Sequence, residues 1–174
     1  MMNNTGTGST ISILLVEDDL LIQKVGKAIL AHCGCLVDVA GNGREAVEAS
    51  ARQRYDMIFM DCQMPEMDGY EAAGMIRERE KKNRGEGAVA RIPIVALTGL
   101  ASQQDRERCL EAGMDDYLSK PFSVATIKSI LDRWLSARPA GIPEGRGTQP
   151  PPAARRERRR GALSGGKRPL SWIP

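Results

Sequence analysis

The chain has 174 residues and a net charge of +3, enough for one domain and a tail. Residues 1–138 hold 17 basic and 20 acidic side chains, whereas residues 139–174 hold 8 and 2, so the basic character belongs to the C-terminal end. The sequence contains no run of 18 apolar residues and no signal-peptide pattern, which argues against a membrane-associated or secreted protein. Its four cysteines lack the spacing of a disulfide framework, which predicts a cytoplasmic location.

Short apolar runs alternate with amphipathic segments through the first three quarters of the chain. The apolar runs predict β-strands over residues 11–16, 36–40, 55–60, 92–97 and 116–119. The segments between and after them predict helices over residues 20–31, 44–54, 68–82 and 102–112, and from Ser123 onward. This alternation predicts an α/β domain with a doubly wound, five-stranded parallel sheet and helices on both faces.

Spacing and capping signals support three of these helices. In the first helix, Leu21, Val25 and Ile29 recur every four residues. Asp68 and Ser102 are each followed three residues later by an acid, which predicts that they cap the third and fourth helices. The last helix has an apolar stripe that consists of Val124, Ile127, Leu131 and Trp134.

Composition divides the chain into three regions. Residues 1–10 are polar and predict a flexible N-terminus, residues 11–137 form the domain, and residues 138–174 are rich in Gly, Pro and Arg. The last region buries too little apolar surface to offset its ordering entropy, which predicts a disordered basic tail. Its arginine run at 155–160 is a candidate for contact with nucleic acid or anionic lipid, but a solvated tail is the preferred interpretation.

Four predicted strands end in residues that suit the binding of a metal ion or a phosphoryl group. These residues are Asp18 and Asp19 after the first strand, Asp61 after the third, Thr98 after the fourth and Lys120 after the fifth. Ligands of open α/β sheets bind at the carboxyl ends of the strands, so we expect these side chains to converge. Clustered carboxylates repel one another, and a hard cation such as Mg²⁺ relieves that repulsion.

This set of residues suits Mg²⁺-assisted phosphoryl transfer. We expect Asp61 to be the nucleophile and Asp18, Asp19, Asp61 and the backbone carbonyl of Gln63 to bind the metal. The phosphoryl group carries negative charge on three oxygens during transfer, and the protein must supply counter-charge. Lys120 and Thr98 are the expected donors to those oxygens.

Four segments, at residues 15–19, 60–69, 96–99 and 117–122, together resemble the response-regulator receiver domains of two-component signalling. The resemblance covers about residues 11–136 and is strongest to receivers associated with hybrid sensor histidine kinases. It implies a flavodoxin-like fold with strand order 2-1-3-4-5 and a cis peptide bond before Pro121. It also implies a phosphohistidine donor for Asp61, Mg²⁺ dependence, and a switch in which Tyr117 rotates inward as Thr98 moves toward the phosphoryl group.

The resemblance implies that the domain works with protein partners and does not turn over a substrate. The expected upstream partner is a sensor histidine kinase or a histidine phosphotransfer protein, the downstream effector is unknown, and a phosphorylation-dependent homodimer is possible. The domain would be a signalling phosphoacceptor that assists its own phosphorylation and dephosphorylation, and not a conventional enzyme. No membrane partner is expected, and nucleic acid is an unlikely one.

Other interpretations remain open at this stage. The main alternative is a receiver-like scaffold that binds its partner without phosphorylation. A flavodoxin-like cofactor binder would need a phosphate-binding loop where Asp18 and Asp19 stand. His32 with Cys33 and Cys35 lacks the spacing of a zinc site, and His32 is interpreted as a helix-end residue. Asp115 and Asp116 are interpreted as a solvated turn.

Overall fold

The computed structural model describes residues 10–83, 91–99 and 102–135. The strands are β1 (Ser12–Val16), β2 (Leu36–Ala40), β3 (Met57–Asp61), β4 (Ile94–Thr98) and β5 (Asp116–Ser119). The helices are α1 (Leu20–His32), α2 (Gly43–Arg52), α3 (Gly69–Lys82), α4 (Gln103–Glu111) and α5 (Val124–Leu135). All neighbouring strands are parallel and their order is β2-β1-β3-β4-β5, which confirms the predicted architecture.

The predicted disordered tail lies outside the described residues, and so does the predicted flexible N-terminus apart from residue 10. Within the described residues, no helix combines the length and the apolar content that a bilayer crossing requires. His32 is the last residue of α1, as the sequence predicts.

The central strands are buried on both faces, which explains their continuous apolar sequences. Every residue of β3 and β4 is buried. Alternate side chains of each strand point to opposite faces, so the sheet separates two cores. Ile13, Leu15 and Phe59 pack toward α1 and α5, whereas Leu14, Ile58 and Met60 pack toward α2 and α3.

Side chains before the helices cap them as the sequence predicts. Asp68 accepts a hydrogen bond of 2.8 Å from the backbone N–H of Glu71 at the start of α3. Ser102 and Asp105 form a reciprocal capping box at the start of α4. These caps satisfy N–H groups that have no partner inside the helix, and they define where α3 and α4 begin.

Only one residue of the apolar stripe that predicted α1, Ile29, packs against the core. Leu21 and Val25 are 70% and 47% exposed, and the buried residues of the helix are Gly26 and Leu30. A Cβ atom at Gly26 would lie 2.9 Å from Cδ2 of Leu15, so the absence of a side chain lets α1 approach the sheet. The spacing predicted the helix correctly but did not identify its buried face, because a glycine occupies a position that packs against Leu15.

The interpretation of Asp115 and Asp116 as a solvated turn is wrong. The side chain of Asp115 is only 8% exposed, and its Oδ2 lies 2.6 Å from Nη2 of the buried Arg77. Arg77 also contacts Glu80 at 2.7 Å and donates to the carbonyl of Gly113 at 2.8 Å. Asp116 begins β5 and accepts hydrogen bonds from α5. Arg77, Glu80 and Asp115 form a buried ionic cluster at the amino ends of β4 and β5.

Removal of Arg77 should leave the buried carboxylate of Glu80 without its cation and that of Asp115 with only the partly exposed Arg91. We expect Arg77→Met to lower the free energy of unfolding by about 3–5 kcal/mol, as measured by urea denaturation. Arg52→Met is the matched control, since Arg52 is 77% exposed and pairs only with Glu48 within its own helix. The control should change the same free energy by less than about 0.5 kcal/mol. Equal effects of the two variants would contradict this role of Arg77.

Candidate functional site

The carboxyl ends of the central strands bring four polar residues to one edge of the sheet. Asp61 ends β3, Thr98 ends β4, Glu17 follows β1 and Lys120 follows β5. Glu17, Asp61 and Thr98 are only 1%, 6% and 8% exposed. Charged side chains are seldom buried without a partner, so their burial at one edge marks this place as a candidate site.

Lys120 joins the two buried carboxylates. Its Nζ lies 2.7 Å from Oδ2 of Asp61 and 2.5 Å from Oε2 of Glu17. Burial on its own would lower the pKa of Lys120, but the hydrogen bonds and negative charges of Asp61 and Glu17 outweigh burial and raise that pKa. The peptide bond between Lys120 and Pro121 is cis, as the resemblance implies. The backbone N–H of Lys120 donates to the carbonyl of Thr98 at 2.8 Å, which ties the lysine to the end of β4.

Three carboxylates meet beside this lysine. Oxygen atoms of Glu17, Asp18 and Asp61 all lie within 4.8 Å of one another. Burial raises the pKa of Glu17 and the charge of Asp61 adds to that shift, while Lys120 opposes it. Oε2 of Glu17 is buried, and the Lys120 ammonium is its ion-pair partner at 2.5 Å. One ammonium does not balance three carboxylates, so the group fits a hard divalent cation that prefers oxygen ligands.

The structure corrects the predicted metal ligands at Asp19. Oδ1 of Asp19 accepts hydrogen bonds from the backbone N–H groups of Leu21 and Ile22, at 2.8 and 3.0 Å, and so caps α1. Glu17 stands in the acidic group where the sequence predicted Asp19. The sequence feature that could have identified Glu17 is its position directly after the last residue of β1. A residue at that position still lies in line with the strand, at its carboxyl end.

The segment between β3 and α3 orients the carboxylate of Asp61. The backbone N–H of Gln63 donates to Oδ1 of Asp61 at 3.2 Å, so both carboxylate oxygens have a partner. The role of the Gln63 carbonyl as a metal ligand stays a prediction. Glu66 has a φ of +68°, and the N–H of Met67 donates to the carbonyl of Pro65 at 2.8 Å, which describes a γ-turn.

Position 69 must be a glycine because its backbone lies very close to that of Asp61. A Cβ atom at Gly69 would lie 2.0 Å from the backbone carbonyl oxygen of Asp61, which is far inside contact distance. The N–H of Gly69 donates to the carbonyl of Cys62 at 3.2 Å and closes the loop between β3 and α3. The glycine therefore lets α3 begin directly against the residue that carries the carboxylate.

The predicted switch residues lie on adjacent strands. Tyr117 is partly buried in β5 beside Ala96 of β4, two residues before Thr98. The guanidinium carbon of Arg106, on α4, lies 4.3 Å from the centroid of the Tyr117 ring. The roles of Thr98 and Tyr117 in switching stay predictions.

The cysteines do not contribute a second site within the described residues. All four are free thiols, and His32 with Cys33 and Cys35 forms no metal-binding group there. Sγ of Cys62 lies 3.9 Å from Sγ of Cys109 in the core. Burial, with a contribution from Cys109, raises the pKa of Cys62 to about 12, so this thiol is protonated at neutral pH.

Comparison with known proteins decides the family. Residues 13–132 match the family model of the response regulator receiver domain. The chain belongs to this family. This receiver is 46% identical over 119 residues to hybrid signal transduction histidine kinase B of Dictyostelium discoideum, covering 66% of the chain and 6% of that kinase. It is 36% identical over 137 residues to the transcription factor SKN7 of Saccharomyces cerevisiae, covering 78% of the chain and 21% of that protein.

The receiver therefore spans only a small part of the length of these curated relatives. Among solved structures, it resembles the receiver domain of a Pseudomonas aeruginosa sensor histidine kinase, which has a magnesium ion coordinated in its active-site cleft. That match has 46% identity and a TM-score of 0.65, and covers 74% of this chain and 100% of the other. The receiver of yeast Ssk1, crystallised with the histidine phosphotransfer protein Ypd1, matches with 35% identity and a TM-score of 0.68, covering 72% and 88% of the two chains.

Gly69 and Gly74 of α3 provide a matched test of the close approach to Asp61. We expect Gly69→Ala to lower the free energy of unfolding by at least about 2 kcal/mol, because the backbone must shift to admit the methyl group. Nothing lies within 4 Å of a Cβ atom at Gly74, so Gly74→Ala should instead stabilise the helix by about 0.5–1 kcal/mol. Urea denaturation measures both changes, and a neutral Gly69→Ala would contradict the geometry described for the loop.

Proposed function

We propose that this receiver accepts a phosphoryl group on Asp61 from a phosphohistidine donor, with Mg²⁺ as cofactor, and that phosphorylation changes a protein-binding surface. The observation that carries the proposal is the bridge from the Lys120 ammonium to the buried carboxylates of Asp61 and Glu17, with Asp18 in the same group. It places a nucleophile, a cation and metal ligands together at the ligand-binding edge of an open α/β sheet.

Each residue has a distinct part in the proposed reaction. A carboxylate oxygen of Asp61 forms the new P–O bond while the P–N bond to the donor histidine breaks. Lys120 supplies positive charge to the phosphoryl oxygens, and the hydroxyl of Thr98 donates to one of them. Glu17, Asp18 and Asp61 would hold the magnesium ion, which supplies further positive charge when bound. The N–H of Gln63 keeps the Asp61 carboxylate oriented.

The same residues serve the return reaction, in which water removes the phosphoryl group. The domain therefore assists its own phosphorylation and dephosphorylation but does not turn over an external substrate as a conventional enzyme does. Cytoplasmic location and phosphorylation-dependent dimer formation stay predictions from the sequence.

An exposed apolar face on α1 suits the incoming donor. Leu20, Leu21 and Val25 are 68%, 70% and 47% exposed, and α1 begins directly after Asp18 and Asp19. Contiguous apolar surface beside a polar rim is typical of protein-binding sites. We propose that a histidine phosphotransfer domain, or the equivalent domain of a kinase, packs on this face and so brings its phosphohistidine to Asp61. The structure of Ypd1 with the Ssk1 receiver is a precedent for such a pair.

Phosphorylation by acetyl phosphate tests the chemistry without a protein donor. With MgCl₂ present, intact-mass spectrometry should show the addition of one phosphoryl group to the wild type and none to Asp61→Asn. Asp18→Ala should label at least about tenfold more slowly because the metal group loses a ligand. Asp19→Ala should lower the free energy of unfolding by about 1 kcal/mol through the lost cap and label at nearly the wild-type rate.

Two outcomes of this experiment would change the conclusion. Loss of labelling in Asp19→Ala equal to that in Asp18→Ala would restore Asp19 as a metal ligand. A folded wild type that gains no mass would favour the alternative, a receiver-like scaffold that binds its partner without phosphorylation.

A charged residue on the exposed face of α1 should slow phosphoryl transfer from a protein donor but not from acetyl phosphate. We expect Leu21→Glu to slow transfer from a purified phosphorylated histidine phosphotransfer domain by at least about tenfold, because an interface position buried on docking becomes charged. Its labelling by acetyl phosphate should be unchanged. Leu110→Glu is the matched control, since Leu110 is a leucine of α4 that is 59% exposed. Equal effects at both leucines would contradict a donor surface on α1.

A further inference from the structure

Helix α4 is held in place by contacts at its sides more than by burial. Cys109 is the only buried residue among its nine, and Leu110 on the same helix is 59% exposed. Elements with few buried apolar contacts have low local stability and move most readily. The contacts that remain therefore decide where the helix lies.

Two of these contacts are arginine–aromatic stacks, one with β5 and one with α3. The guanidinium carbon of Arg106 lies 4.3 Å from the ring centroid of Tyr117 on β5, and that of Arg108 lies 4.2 Å from the ring centroid of Tyr70 on α3. Arg108 also has a nitrogen 4.0 Å from a carboxylate oxygen of Asp68, before α3. A guanidinium over an aromatic face is attracted by the negative charge of the ring face.

The two rings differ in their relation to the phosphoacceptor edge. Tyr117 lies in β5, three residues before Lys120, and its strand neighbour is the small residue Ala96. Tyr70 lies in the first turn of α3, which Asp68 caps and which Gly69 holds against Asp61. Tyr117 is thus the ring that can change position with the switch, whereas Tyr70 is fixed by the start of its helix.

We propose that Arg106 is a positioning residue that opposes activation, because its stack on Tyr117 stabilises the unphosphorylated arrangement of α4 and β5. The inference rests on the proposed function and on the switch that the resemblance implies, in which Tyr117 rotates inward when Asp61 is phosphorylated. That rotation removes the ring from Arg106, so the stack is a contact of the resting state alone. A contact that favours the resting state lowers the apparent affinity for a phosphoryl analogue by up to the free energy of that contact.

Arg108 has a different role in the same helix. Its partner ring stays with α3 in both states, so its stack anchors α4 without favouring either state. Removing either arginine takes one positive charge from α4 and should loosen the helix, but only the loss of Arg106 should change the balance between the states.

Binding of beryllofluoride, a phosphoryl analogue, in the presence of MgCl₂ tests this difference on the full chain. We expect Arg106→Gln to bind about two- to fivefold more tightly than the wild type, as isothermal titration calorimetry measures it. Arg106→Lys, which retains a cation, should return most of the way to wild-type affinity, and Arg108→Gln should be unchanged. Loss of a positive charge near an anion would by itself weaken binding, so tighter binding cannot come from charge alone.

A double-mutant cycle links the effect to the ring. In a Tyr117→Leu background, Arg106→Gln should no longer change beryllofluoride affinity, because the stack is already absent. Without beryllofluoride, hydrogen exchange of the α4 amides should be faster in both Arg106→Gln and Arg108→Gln than in the wild type. Faster exchange would show that each stack stabilises α4 in the wild type.

The outcomes separate this inference from the proposed function. A wild type that binds no beryllofluoride with MgCl₂ present and gains no mass from acetyl phosphate would overturn the proposed function. A wild type that binds normally, with Arg106→Gln unchanged or weaker, would overturn the positioning role alone. Tighter binding of Arg106→Gln that persists in the Tyr117→Leu background would also overturn it.

Discussion

The site depends on one interaction, the contact of a single ammonium with two buried carboxylates. Placing Asp61 and Glu17 side by side at the end of a sheet costs both desolvation and mutual repulsion, and Lys120 offsets part of both costs. The compensation is incomplete, since Asp18 adds a third carboxylate to the group. The site therefore carries an excess of negative charge that a divalent cation can neutralise. In the proposed function, this excess would attract the metal ion, and the bound ion would in turn favour an anionic group.

The topology explains why this contact forms between residues so far apart in the chain. The carboxyl ends of parallel strands all lie at the same edge of the sheet. A sequence with one polar residue after each apolar run therefore brings these polar residues together when the sheet forms. Asp61, Thr98 and Lys120 could be predicted in this way because each follows a strand. Glu17 was missed because three acids stand in a row, and only the direction of each side chain decides which one joins the acidic group and which one caps the helix. The cap at Asp19 and the acidic group are one residue apart, and spacing alone does not separate them.

Other features could not be predicted from local pattern because they depend on distant partners. Arg77 and Asp115 are separated by 38 residues, and neither carries a local signal of the other. Likewise, apolar residues on α1 supported the helix, but the choice of buried face depended on how closely Gly26 approaches Leu15. Local periodicity thus identified elements reliably, whereas burial on each element followed from contacts that only the folded sheet supplies.

The buried ionic cluster around Arg77 has a mechanical consequence. It joins the C-terminal half of α3 to the amino ends of β4 and β5, so those strands are restrained at the edge opposite Asp61. Strands clamped at their amino ends cannot slide as a unit. If Thr98 moves as the predicted switch requires, the displacement must then be absorbed by bending at the carboxyl ends of β4 and β5. The amino ends of β4 and β5 are therefore the fixed part of the sheet, and a rearrangement of these strands would be confined to their carboxyl ends.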